Sequence, residues 1–143
     1  MAYKTMLSTA GANAGILAVV GLLSTGAVLK IFTSSQPTNP DTVPGAGPDL
    51  LASLALSSQP FSTTPSGGAS TANTIPASTV ILTGTAAWCR ISSSSQATSS
   101  GIGLIDGTVG TATANCILNS VSLSSGASIT ISSLTVTLPE STP

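Results

Sequence analysis

Two hydrophobic rhythms run along this chain, a three- and four-residue step near the amino terminus and a two-residue step over most of the remaining sequence. Across residues 6–23 the apolar positions Leu7, Ala10, Ala14, Leu17 and Val20 or Gly21 recur as one face of a helix does. Ser24, Thr25 and Gly26 then stop it, glycine being favoured just past a helix end. Residues 28–33 alternate as a strand, with Val28, Lys30 and Phe32 on one face and Leu29, Ile31 and Thr33 on the other. The helix is expected to pack on that first strand. This divides the chain into a helical segment, 1–26, and a β domain, 27–143, within a single domain overall.

Further strands come at short intervals. Residues 49–57 place Leu50, Ala52, Leu54 and Leu56 on one face, and 80–91 read as one or two strands broken at Gly84. Residues 102–109 form a strand closing on Asp106-Gly107, a favoured tight-turn pair. Strands at 115–123 and 128–138 flank a hairpin signal at 124–127. In the last strand the apolar face switches near Ser133, which predicts a bulge or a crossing between sheets. Many short strands separated by turns predict a mainly β fold, a jelly-roll-like antiparallel β-sandwich with a short N-terminal helix.

Between the first two strands, residues 34–48 hold four prolines and two glycines without periodicity. Proline removes backbone donors, so the segment runs over a surface, either as a plain connection or as a contact arm for a neighbouring subunit. The candidate interface is therefore Gln36, Pro37, Pro40, Val43, Pro44 and Pro48, joined by Leu17 and Val20 from the helical segment.

Composition narrows the picture. Only seven of 143 residues are charged, and histidine is absent. Soluble domains carry about a quarter of their residues as charge, so a chain this neutral is expected to bury part of its surface against neighbours. Lys4, Lys30 and Arg90 are too few and too scattered to neutralise a phosphate backbone or bind an anionic membrane, so neither direct nucleic-acid nor membrane binding is expected. The apolar run 14–23 resembles part of a secretory signal, and it is shorter than the roughly 20 residues that span a bilayer as a helix.

Candidate chemistry is sparse. Asp41, Asp49, Asp106 and Glu140 are scattered and form no evident acid/base pair, and without histidine there is no Ser-His or Cys-His relay. No enzymatic activity, metal or cofactor is expected. Ala86, Trp88 and Arg90 share one strand face and Ala87, Cys89 and Ile91 the other. Trp88 with Arg90 reads either as a ligand platform or, preferably, as a packing pair in which the arginine snorkels over the indole. Cys89 and Cys116 can pair only if their strands are neighbours. The expectation is two free thiols buried as small hydrophobes.

The order of elements carries a resemblance. A helix, the strand 28–33, the Gln36-Pro37 loop, the Thr85-Ala86-Ala87-Trp88-Cys89-Arg90-Ile91 strand, Asp106-Gly107-Thr108-Val109-Gly110 and the closing Thr-Val-Thr-Leu-Pro strand together resemble the capsid decoration, or cement, proteins of tailed bacteriophages and prophage head modules. The resemblance implies a virion protein that binds the outer surface of the phage head and clamps adjacent major capsid protein subunits, itself a homo-oligomer, dimer or trimer. Two other readings compete: a phage tail or neck component, and a secreted carbohydrate-binding or adhesive β-domain.

Overall fold

The computed structural model describes residues 6–45, 48–94 and 102–138. Lys4, Glu140 and all of residues 95–101, most of the polar loop that follows Ile91, lie outside them. The fold is mainly β with one short helix, as expected, and its principal sheet is mixed and curled into a half-barrel.

Helix α1, Thr9–Val20, begins where the Ser8 hydroxyl accepts the Gly11 N–H at 3.1 Å. It ends earlier than predicted because the chain tightens after Val20, the Leu22 and Leu23 N–H groups donating only three residues back, to Val19 and Val20. Its buried face is Ala12, Ile16 and Val20, an i, i+4, i+8 row, whereas Leu7, Ala10, Ala14 and Leu17 face outward. Of the expected positions only Val20 is buried, and Leu7, Ala10, Ala14 and Leu17 lie off the covered face. Every turn of α1 is uncharged, so hydrophobicity alone does not choose which side is covered. The helix shares one core with the first strand but packs chiefly elsewhere. α1 packs against β3 (Ala69–Thr71), where the Asn13 amide oxygen accepts the Gly68 N–H at 2.8 Å.

The remaining strands are β1 (Val28–Phe32), β2 (Leu50–Ala55), β4 (Ser78–Thr79), β5 (Gly84–Thr85), β6 (Trp88–Ser92), β7 (Ile105–Gly110), β8 (Cys116–Leu118), β9 (Ser122–Leu123), β10 (Ser128–Ile129) and β11 (Ile131–Thr137). The seven-stranded sheet runs β2-β1-β6-β7-β8-β11-β3, and two small pairs, β10-β4 and β5-β9, stand beside it. All pairings are antiparallel except β7 with β8, which is parallel and makes the sheet mixed. The predicted face switch near Ser133 is present in both forms. Register slips between Ile131 and Ser133, and the chain passes from β10, paired with β4, to β11, paired with β8 and β3.

The concave side of the half-barrel holds the core. Leu29 and Ile31 of β1, Leu51 and Leu54 of β2, Ile91 of β6, Leu118 of β8, and Leu134 and Val136 of β11 meet Ile16, Val20 and Leu23 from the helical segment. Each fully buried aliphatic side chain of this kind stabilises the fold by about 1.5–3 kcal/mol. Both outer edges of the sheet are covered. Ile81 N–H donates to the Leu51 carbonyl beside β2 at 2.7 Å, and Ser62 N–H donates to the Thr71 carbonyl beside β3 at 2.9 Å. These contacts blunt the edges through which strands of another chain could add.

Candidate functional site

The convex side of the sheet carries a second, smaller packed region, and the proline-rich loop covers it. Alternation along β1 and β6 sends Phe32 and Trp88 outward from directly opposed positions. Their rings stack at 4.5 Å between centroids, 11° from parallel, and the Trp88 indole N–H donates to the Thr33 carbonyl at 3.1 Å. Two residues along, Lys30, Arg90 and Asp106 form a row across β1, β6 and β7.

Arg90 is fully buried, so it does not snorkel as expected. Its Nε donates to Asp106 Oδ1 at 2.6 Å and its Nη2 to Oδ2 at 2.7 Å, a bidentate fork. The guanidinium carbon lies 5.3 Å from the Trp88 ring centroid, so the predicted packing of arginine on indole is present within a buried ion pair. The expected tight turn at Asp106-Gly107 is corrected for the same reason. Both residues lie inside β7, and the counter-charge on Arg90 offsets the low strand preference of aspartate.

The same guanidinium holds the loop. Nη1 donates to the Thr42 carbonyl at 2.7 Å and Nη2 to the Asn39 carbonyl at 3.4 Å, while the Gly103 N–H donates to the Pro40 carbonyl at 2.8 Å. Proline leaves a loop with carbonyls and too few donors, and a buried arginine supplies donors in a fixed plane. Thr42 Oγ1 adds a bond to Asn39 Oδ1 at 3.0 Å, closing the loop on itself. Gly103 is required where it stands. A Cβ there would lie 2.5 Å from Arg90 Cγ and 2.6 Å from Cδ, so the arginine stem runs through the space a side chain would fill.

Gln36 and Val43 lie exposed on this loop, and Pro37, Pro40, Pro44 and Pro48 are half-buried. Leu17 is exposed on α1 and borders a separate cleft of about 120 Å³ with Gly21, Pro60 and Phe61. Val20 lies mostly in the core, 6% exposed, and lines the same cleft. Sequence reasoning missed Asp106, Gly103 and the carbonyls of Asn39 and Thr42. One signal did point to Asp106. Arg90 shares a face with Trp88, a buried arginine needs a counter-charge, and of the four carboxylates Asp106 is the one set within an apolar alternating stretch.

The electrostatic result is a surface more neutral than the composition states. With Arg90 and Asp106 neutralising each other out of solvent, the charged side chains left among the described residues are Lys30, Asp41 and Asp49. Both oxygens of Asp106 are engaged by Arg90. Among the described residues no three His, Cys, Asp or Glu side chains group as a metal site, and no helix is long and apolar enough to cross a membrane. What this arrangement does physically is hold a loop in one shape.

Comparisons with protein-family models, with curated proteins and with solved structures find no match to this chain.

Proposed function

We propose that this chain is a structural virion protein, a capsid decoration protein that binds the outer surface of a phage head and clamps adjacent major capsid protein subunits. The observation that carries the reading is the buried Arg90, whose charge is neutralised by Asp106 and whose remaining donors immobilise the backbone of a proline-rich surface loop. A loop ordered before binding loses less entropy on contact. Val43, 53% exposed, and the exposed Gln36 supply an apolar and a neutral polar contact. Such a surface recognises shape, not charge. Binding only the assembled lattice stabilises that lattice by mass action, and contacts repeated over a shell act together.

The proposal includes self-association into dimers or trimers and residence on the capsid surface. The test is co-sedimentation of purified protein with expanded heads lacking it. Saturable binding that survives a rise from about 50 to about 500 mM salt supports the reading, since contacts without charge are little screened. Protein that stays strictly monomeric and remains in the supernatant at every head concentration contradicts it.

A further inference from the structure

The helix has two apolar faces, and one of them is open to solvent. Ala12, Ile16 and Val20 face the core. On the other side Ala10, Ala14, Leu17 and Gly21 are exposed, and Leu7, just before the helix, lays its side chain over the first turn, Cδ2 standing 3.7 Å from where a Cβ on Gly11 would be. Leu7 is 47% exposed and Leu17 37%. Positions 7, 10, 14, 17 and 21 follow by steps of three, four, three and four residues, the spacing of a seam that packs along a second helix. At the C-terminal end of this seam opens the apolar cleft of about 120 Å³ lined by Leu17, Gly21, Pro60 and Phe61 among others.

Charge and size together select the occupant. Residues 6–26 and 58–63 carry no charged side chain, so a partner with charges on its contact surface would bury them here without a counter-charge. A second copy brings an equally neutral face. The large and small positions of the seam also fit one another when one copy is reversed. An antiparallel pair centred on Ala14 sets residues at equal distances on either side against each other, Leu7 against Gly21 at the cleft and Leu17 against Gly11. Both leucines then meet glycines, and Ala14 meets Ala14. Parallel pairing sets leucine on leucine and glycine on glycine, which alternates clash with gap.

We propose that the exposed face of α1 is the surface through which two copies associate, antiparallel about a twofold axis at Ala14. This names the contact behind the self-association proposed above, and rests on that reading for it. Such an interface is isologous, each copy giving both the leucine and the cleft. Small residues along the seam let the helix axes approach to about 8 Å. A helix of this length is about 18 Å long and about 10 Å across, so the pair covers well under the roughly 800 Å² per partner of a standard stable interface. The dimer is therefore weak in solution and is reinforced where a shell holds copies side by side.

The test is sedimentation equilibrium of the parent, A14E and A14K from about 10 µM to about 1 mM, a range suited to a weak dimer. The expected result is a concentration-dependent dimer in the parent, a dissociation constant at least about 30-fold higher in each variant alone, where like charges meet on the axis, and recovery as a heterodimer when A14E and A14K are mixed. Ala14 is exposed and both replacements suit a helix, so circular dichroism and Tm stay those of the parent. Under mild oxidation A10C mixed with A18C links into a dimer that neither gives alone. A parent that stays monomeric overturns the proposal, including one that instead floats with phosphatidylcholine vesicles. So do single variants that associate like the parent, and so does A10C linking to itself, which marks parallel helices. Heads are absent from this assay, so a pair that forms as described supports the proposal even where the protein leaves expanded heads bare, a result that counts against the capsid reading alone.

Discussion

Replacing Asp106 with Asn isolates the pair on which the convex face depends. The substitution keeps the shape and one acceptor but leaves the Arg90 guanidinium buried without a counter-charge, at a site where its fork, two loop carbonyls and the Trp88 ring all depend on its position. Breaking a buried pair by removing one partner costs about 3–5 kcal/mol. The retained oxygen places D106N near the lower end, about 3 kcal/mol, against a total of about 5–15 kcal/mol for a domain. That corresponds to a fall of about 10 °C in Tm for a chain of this size. Urea denaturation of the parent, D106N, R90M and the double variant completes a cycle. The double variant is expected to be at least about 1.5 kcal/mol more stable than the sum of the single losses, because neither charge is then stranded. Hydrogen exchange separates the clamp from the charge: in R90M and the double variant the Gly103 amide, bonded to the Pro40 carbonyl, exchanges faster even where global stability is recovered. A D106N loss below about 1 kcal/mol, or strictly additive effects, refutes the reasoning.

Three further outcomes rest on particular contacts. Gly103→Ala drives a Cβ into the arginine stem and lowers stability by about 1–3 kcal/mol, which thermal unfolding reads, while G126A, at a position with open space but a left-handed backbone, separates steric clash from backbone strain. The Cys116 hydrogen bond, then burial, push the Cys89 thiol well above its ordinary range. The folded protein therefore holds a proton that the unfolded chain releases, so stability is full below the ordinary thiol value of about 8.5 and falls above it by up to about 1.4 kcal/mol per pH unit; urea midpoints from about pH 7 to about pH 10.5 show this, and C89S flattens the fall. Trp88, the sole tryptophan, is buried, stacked on Phe32 and 5.3 Å from the Arg90 guanidinium carbon, so acrylamide quenches it poorly in the parent and more strongly in R90M.

How much of the molecule is legible in the sequence depends on whether local pattern or distant pairing decides a position. The strand at β1 is readable because its alternation is bounded by turn residues, and the switch at Ser133 because two faces compete within one run. The orientation of α1 is not, because a helix without charge has no polar side to mark solvent. Asp106-Gly107 matches a turn dipeptide in isolation, and only its register opposite Arg90, sixteen residues away, makes it part of a strand. At the site, the composition of 34–48 identifies a surface loop, but its attachment runs through backbone carbonyls of Asn39, Pro40 and Thr42, which no side-chain pattern reports. Val20, read both as part of the apolar helix face and as a contact residue, is buried in the core at the edge of a cleft.

The central claim is that a neutral, pre-shaped loop meets an assembled shell, and an electron-microscopy map of expanded heads incubated with this protein tests it most directly. The account predicts density on the outer surface where capsid subunits meet, with residues 34–45 turned toward the shell, and loss of that density in V43D. Density confined to a ring on the tail axis, or a bare shell at saturating protein, contradicts it.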